Sequence, residues 1–474
     1  MKKFFLLLFV IYTGHSLEAQ VAVNITGNNP ASSSMLDVSS TSKGMLMPRM
    51  TAEQRKAIVA PEKGLLVFDT DRETIYLFNG QKWKPMMTAT DASAALPSRQ
   101  PVGGKVNAHF GESADIYDDY VAVGAPTDSA KGVTGSAVYI FYKNGNNWEQ
   151  IAKLSAPNPE DNDWFGTSVS LSGDLLVVGA PKRNIGGAAD RGAAYVFKRF
   201  VRTWSYVATL TASNGAADDE FGTAVTTNGT YVMVGAPDTD HNNATDAGSV
   251  YIYGLQNGAW TQKIILNASD PISIGRYGTS LDSWQTKLLV GAPGAAIPVG
   301  ANNIKSGAAY QYNNTDAAGF TWLLGQKIFT GYRHNNMEFG TSVAIDGDKL
   351  ICGAPRYSGS PQNDLNFYQG AGFQFSYEGG SWIQKSVLTE NTGQPDETGT
   401  SVALTGTAYF AGMPKWRNEL GKVMLLNPLL LFYYDEDPNL KRNFGGVVAA
   451  HNGQFVITST QNEPYGRIFF GLID

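Results

Sequence analysis

The sequence predicts an all-β fold, a seven-bladed β-propeller of four-stranded antiparallel blades behind a small N-terminal α+β module. Three observations carry this. The stretch FGTSVSLSGDLLVVGAP at 165–181 returns as FGTAVTTNGTYVMVGAP at 221–237. The composition, with 52 glycines, 43% hydrophobic, 11% aromatic and 16% charged residues, suits short twisted strands joined by tight turns. At 474 residues the chain also exceeds what one hydrophobic core usually sustains, which requires several domains or a repeat.

Residues 1–19 open with Lys2 and Lys3, continue as an apolar run from Phe4 to Tyr12, and offer Ala19 as a small cleavage residue. This is the pattern of an export signal, too short to remain as a membrane span. No transmembrane segment is expected later, because Leu425 to Tyr434 is broken by Asn427 and Pro428. A secreted or cell-surface protein is expected. It is not a lipoprotein, since the single cysteine, Cys352, is far from the cleavage position. Cys352 occupies the place held by Val123, Val178, Val234 and Val290 in other copies, so it reads as a small core hydrophobe. The net charge of −6, or −7 once the signal is removed, gives no basic stripe and no case for nucleic acid or an anionic membrane as partner.

Residues 108–474 hold the repeat. Seven starts, Phe110, Phe165, Phe221, Tyr277, Phe339, Thr398 and Phe444, each precede a glycine, and fourteen positions later comes Gly-Ala-Pro, opened by Gly124, Gly179, Gly235, Gly291 and Gly353. The sixth copy has Gly412-Met413-Pro414, and the seventh has Thr458 with no triplet. Between the landmarks, Ser172-Gly173, Asn228-Gly229, Asp346-Gly347 and Thr405-Gly406 suit a two-residue hairpin turn, so strands one and two form a hairpin. The proline marks the exit of strand two. Strand three follows a glycine, as in GAAYVF at 192–197, and strand four begins near Trp148, Trp204, Trp260, Trp322 or Trp382. Small residues after each phenylalanine fit crowded inner strands, and the aromatics of strands three and four fill the wider outer gaps, which favours closure over an open solenoid.

These paired landmarks resemble FG-GAP repeats, found in the propeller of integrin α subunits and in many exported bacterial proteins. The resemblance implies that the loops from strand four to the next strand one and from strand two to strand three share one face, the face that meets the partner in integrins. The last copy ends four residues after Phe470 and lacks an outer strand, so a strand from the beginning of the chain is expected to close the ring. The stretches around Lys105 to Ala108 and around Trp83 are both candidates.

Residues 20–87 do not follow the repeat. KGMLMPRMTAEQRKAIVAPEKGLLVFDTDRETIYLFNGQKWKPM resembles a short module of exported bacterial proteins related to segments of phage tail fibres. Thr51 with Gln54 predicts a capping box on a brief helix, and LLVFDTDRETIYLF predicts a hairpin. Attachment, oligomerisation and a plain spacer all remain open for this module, and the oligomeric state is not fixed. Residues 88–107 read as a linker that also contains a possible closing strand.

Little in the sequence points to catalysis. Integrin-type repeats often carry a D-x-D-x-D-G-x-x-D calcium loop between strands one and two, but here that interval leaves room only for a tight turn. A related stretch, DTDHNNATD, places Asp238, Asp240, Asn242 and Asp246 at alternating positions and makes calcium a candidate ligand, with Asn243 where glycine is usual. Acidic residues before the starts, including Glu160, Asp161, Asp163, Asp218, Asp219, Glu220, Asp396 and Glu397, read as loop solvation and turn hydrogen bonds rather than acid–base pairs. His109, His241, His334 and His451 lie in different copies without ligand spacing.

The longest loops between strands two and three are 294–306 and 356–369, and Arg356, Tyr357, Phe367 and Tyr368 in the second are the candidate binding residues. The sixth copy carries MLLNPLLLFYY at 424–434, expected as a short apolar hairpin against residues 20–87. The reading is a non-catalytic exported binding or adhesion protein whose loop-rich face meets a protein or a glycan. The alternative is a carbohydrate-active hydrolase or lyase, which needs titratable side chains converging at the central mouth.

Overall fold

The computed structural model describes residues 21–23, 36–71, 74–85, 96–105, 107–127, 136–299, 302–316, 318, 320–332, 334–359, 368–390, 394–427, 429–433, 443–460 and 466–473. The chain divides into two compact units, Met1–Met87 and Thr88–Asp474.

In the first unit the helix Ala52–Lys56 is opened by Thr51, whose side chain accepts the Gln54 N–H while the Gln54 side chain accepts the Thr51 N–H, the reciprocal cap read from the sequence. Leu66–Asp69 and Thr74–Phe78 pair as the expected hairpin, flanked by Arg49–Met50 and Trp83–Pro85. Arg55, on the helix, donates to Asp69 at 2.9 Å and lies 3.6 Å from the centroid of Tyr76, so the helix is fixed to the sheet by a buried charge pair under an aromatic ring. A separate parallel pair joins Val21–Val23 to Leu36–Val38.

Among its described residues the second unit is all-β, with seven four-stranded antiparallel sheets and almost no helix. Their first strands are Ser113–Tyr117, Ser168–Ser172, Ala224–Thr227, Ser280–Trp284, Val343–Asp346, Val402–Thr405 and Val448–His451. Each first strand lies beside that of the next sheet, and Val448–His451 lies beside Ser113–Tyr117. The hairpin turns fall one residue later than the dipeptides placed them, at Gly173-Asp174, Gly347-Asp348 and Gly406-Thr407, since Ser172, Asp346 and Thr405 still pair in the ladder; Gly173 and Gly347 have φ of 59° and 65°.

The phenylalanine of each start is a core residue. Phe110, Phe165, Phe221, Phe339 and Phe444, with Tyr277, are essentially inaccessible, and each meets an aromatic of strand three edge-on or tilted, with ring centroids 5.1–5.7 Å apart. Apolar clusters bridge successive sheets. One joins Val138 and Ile140 to Phe165 and Val178, and another joins Val456, Ile468 and Phe470 of the seventh sheet to Phe110 and Val123 of the first.

The two landmarks grip each other across the gap between sheets. The Oγ of Ser168, in the second sheet, donates at 2.8 Å to the carbonyl of Gly222 in the third, and that carbonyl lies against the Cα of Gly179 in the Gly-Ala-Pro of the second. Ser113, Ser280, Ser342 and Ser401 make the same bond to Gly166, Gly340, Gly399 and Gly445, at 2.7–3.0 Å. Within a copy, the constant offset lets the N–H of the Phe-Gly glycine donate to the carbonyl of the Gly-Ala-Pro glycine, as Gly166 does to Gly179 at 2.9 Å, and so presents that second glycine to the next copy.

Three expectations are refined. The fourth strand of the seventh sheet is Ser98–Arg99, paired through Ser98 with Phe469 and Arg99 with Ile468; it comes from the beginning of the chain and from within 88–107, as expected, but from neither of the two stretches named for it. Pro97 accepts the Phe470 N–H at 2.9 Å and Arg99 Nε donates to the Trp148 carbonyl at 2.8 Å, so this short strand also reaches the first sheet. Lys422–Asn427 and Leu429–Tyr433 pair as the expected apolar hairpin and supply strands three and four of the sixth sheet, to whose core Met424 and Leu426 contribute. The long loop at 294–306 contains its own hairpin, Ala296–Val299 with Asn302–Lys305.

Candidate functional site

The residue immediately before each start takes a left-handed backbone: His109, Trp164, Glu220, Arg276, Glu338, Glu397 and Asn443 have φ between 46° and 59°. Such values are uncommon outside glycine, and here five residue types share them, so the cause lies in the backbone. In every copy the residue two places after the start donates its N–H back to the carbonyl of the left-handed residue, Glu112 to His109 at 3.0 Å and Gly446 to Asn443 at 2.9 Å included, and in five copies it is a threonine that adds a side-chain bond. Thr167 donates both its N–H, at 3.1 Å, and its Oγ1, at 2.8 Å, to the Trp164 carbonyl, and Thr223, Thr279, Thr341 and Thr400 repeat the pair. The seven residues consequently recur at one end of the first strands, where the four-to-one and two-to-three loops converge.

The residue following Gly-Ala-Pro meets them with opposite charge. Lys182 pairs with Glu220 and, at 3.1 Å, with Asp190. Arg356 pairs with Glu338 at 3.2 Å and Lys415 with Glu397 at 2.6 Å. In the third sheet the signs are exchanged, with Asp238 facing Arg276 at 2.8 Å. Burial raises the Glu338 carboxyl above its ordinary range, against the pull of Arg356.

At this end a cavity of about 430 Å³ lies among residues of the sixth, seventh and first sheets, lined by His109, Glu112, Glu397, Lys415, Glu419 and Asn443 among others. Its charges face one another: Glu397 is held by Lys415, and His109 Nδ1 lies 3.8 Å from Glu112. A pocket with carboxylates, a cation and an amide close together can hold a polar or charged group by paired hydrogen bonds.

The described residues among those singled out in the long loop, Arg356, Tyr357 and Tyr368, do not form one surface. Arg356 is exposed and lies 5.5 Å from the centroid of the half-buried Tyr368. Tyr357 is 6% exposed and packs on Phe373 and Tyr332, so its ring belongs to the core of that sheet. Phe367 lies outside the described residues. Of the candidate calcium residues, Asp238 is engaged by Arg276, and Asp240 accepts the Asp246 N–H at 3.0 Å. In the preceding sheet Asn184 accepts the Asp190 N–H in the same way at 3.0 Å, so this bond shapes the loop without a metal-binding pattern. Asn242 and Asn243 adopt φ of 50° and 62°. Among the described residues no three His, Cys, Asp or Glu side chains are grouped to hold a metal ion.

The recurrent acids before the starts divide into two kinds. Asp163 is buried and accepts from the Phe165 N–H and Ser136 Oγ, and Asp219 is buried and accepts from the Ala216 N–H at 2.6 Å. They are turn acceptors, as expected, but enclosed rather than solvated. Cys352 is fully buried and its thiol is pushed up by desolvation, in keeping with a core role.

Two carboxylates escaped notice in the sequence. Asp115 and Asp282 stand five positions after their starts, on the first strands of the first and fourth sheets. Each retains some accessible surface although protein surrounds it closely. Asp115 accepts the Leu171 N–H of the second sheet and Asp282 the Ile345 N–H of the fifth, both at 2.7 Å. Ser170 does the same for Thr227. A first strand has no partner on its inner edge, and these side chains satisfy the N–H groups left open there. Burial raises Asp115 to about 6 and Asp282 to about 7. The signal was available by reading one column of the repeat, which holds Asp115, Ser170, Thr226, Asp282, Ala344, Ala403 and Ala449.

Comparison with known families gives two matches. The FG-GAP repeat family matches residues 101–141, 148–197 and 204–253. The family described as phage tail like trimerisation region matches residues 24–99. Comparison with curated proteins finds no match.

Proposed function

Because the chain is an FG-GAP repeat protein, we propose that its seven sheets are the blades of one closed propeller and that the end carrying the left-handed residues is its recognition face. The packing of Val448–His451 against Ser113–Tyr117 supports closure. The protein is read as a non-catalytic binding or adhesion protein, exported, whose ligand is a protein or a glycan. The observation that carries this is the cavity of about 430 Å³ at the convergence of the loops, with charged side chains held in fixed pairs around it. Pairs fixed in advance lower the ordering cost of binding. The amino-terminal unit is read as a self-association module, from its match to a trimerisation region.

The test is an array of immobilised glycans and surface proteins probed with the full chain, then with Glu397→Ala and Lys415→Ala together. Loss of the captured ligand with an unchanged melting curve supports the site. Undiminished capture by the double variant places recognition elsewhere. The cavity's carboxylates, Glu112, Glu397 and Glu419, also support a second reading, a carbohydrate hydrolase. Release of reducing sugar from any glycan on the array, abolished by Glu397→Gln, would select it. Calcium at Asp238, Asp240, Asn242 and Asp246 requires Asp238 to leave Arg276, and calorimetric titration with millimolar calcium tests it.

A further inference from the structure

The parallel pair in the first unit is an incomplete structure by itself. Its register sets Val23 opposite Val38 and Val21 opposite Leu36, while Ala22 faces Asp37. Side chains alternate along a strand, so Val23, Leu36 and Val38 share one face and Asp37 lies on the other. That apolar face is bare: Val23 and Leu36 are 55% exposed and Val38 43%. Two-stranded sheets are marginal in water, and parallel sheets are normally covered on both sides. Seven residues further on, Met45 and Leu46 are 61% and 78% exposed. Exposed apolar side chains in such number on a small unit mark an interaction surface.

We propose that this face is the seam at which copies of this chain associate, three together, with Val23, Leu36 and Val38 of each copy packed against the others and Met45 and Leu46 extending the contact. The proposal rests on the self-association reading and deepens it by naming the surface. The occupant is a copy of the same chain because the residues that present the face, apart from the adjoining Val21–Val23, fall inside the match to a trimerisation region. In a closed three-fold ring the residues beside the axis meet their own copies, so one short apolar strip can be covered by its equivalents there. A stable interface buries about 1,200 Å² or more, which three side chains per copy cannot supply alone and which draws in Met45 and Leu46.

Light scattering coupled to size exclusion on the full chain tests this. The wild type should show a mass three times 51.0 kDa. Leu36→Lys with Val38→Lys should show a single chain mass, with the melting of the repeat unit unchanged. Val59→Lys, at a residue 90% exposed elsewhere in the unit, should remain associated. A wild type of single-chain mass overturns both the seam and the self-association reading. A wild type at three chain masses whose Leu36→Lys, Val38→Lys variant stays associated overturns the seam alone, as does equal dissociation by Val59→Lys. Should the double variant lose the unit's fold, Leu36→Cys replaces it: the natural cysteine is buried, so oxidation should cross-link copies through position 36. Its failure to cross-link in an associated sample overturns the seam.

Discussion

Replacing Gly179 by alanine probes the contact that explains the repeat. A methyl group there would lie 2.9 Å from the Gly222 carbonyl carbon and closer still to its oxygen. Both belong to backbone, so no side-chain rotation relieves the clash, and the second and third sheets must part by at least about half an ångström at the carbonyl carbon to restore ordinary van der Waals separation. Overpacking of this kind costs about 1–3 kcal/mol. Parting also stretches the Ser168 bond to Gly222, now 2.8 Å, whose loss adds about 1 kcal/mol. The expected destabilisation is thus about 3 kcal/mol, against about 1 kcal/mol for Ser168→Ala, which removes the bond but adds no bulk. Because both act on one carbonyl, the double variant should cost less than the sum. Gly331→Ala, where an added Cβ meets nothing within 4 Å, serves as the neutral control. Urea unfolding followed by tryptophan fluorescence measures all four. If Gly179→Ala unfolds at the wild-type midpoint, the grip between landmarks does not hold the sheets together and the account of the repeat is wrong.

Other expectations follow from the same packing. Asp282 has a carboxyl raised from 3.8 to about 7, so the folded state holds its proton more tightly than the unfolded state and loses stability as pH rises between those values. After allowance for its partial exposure this amounts to about 2 kcal/mol, and Asp282→Asn should flatten the decline between pH 5 and pH 8 in chemical denaturation. A decline unchanged in that variant assigns the pH dependence to other groups. Arg99→Ala removes the charged donor to Trp148 and should lower the repeat unit's stability by about 1.5–3 kcal/mol, while deletion of 96–100 should cost more; equal melting of all three proteins excludes a closing role for this strand. Arg55→Ala leaves Asp69 buried without its 2.9 Å partner and should cost the first unit about 3–5 kcal/mol, seen as new tryptic cleavage before residue 88 with the second unit's melting unchanged.

What could be read from the sequence was whatever the packing repeats. The Phe-Gly and Gly-Ala-Pro landmarks are visible because two backbones meet at the same spot in successive sheets, glycine against glycine at six junctions and Thr458 against Gly111 at the seventh. The turn at Gly173 and the Thr51 cap were visible because each needs a particular residue type locally. The outer strand of the seventh sheet was legible only as lying somewhere in 88–107; its exact place was not, since Ser98 and Arg99 are two residues with no alternation, and their partner lies at the other end of the unit. The left-handed residues before the starts were hidden for a different reason. His109, Trp164, Glu220, Arg276, Glu338, Glu397 and Asn443 share a backbone angle but no single side chain, and the cause is a backbone bond from the residue two places after each start, which is a threonine in only five copies. Tyr357 shows the opposite error, an aromatic in a long loop that turns inward onto Phe373.

The two ladder pairs of Ser98–Arg99 join the opening and the final residues of the repeat unit, so synthesis makes the outer strand of the seventh sheet first and its other three strands last, after six sheets are complete. Until Ile468 and Phe469 emerge, that outer strand waits unpaired. Once made, the clasp also lies on the only covalent path from the amino-terminal unit to the repeats. Tension applied through residues 1–87 would therefore reach Arg99 and its bond to Trp148 before it loaded any other strand, making this short ladder the first mechanical element of an anchored molecule to feel a pull.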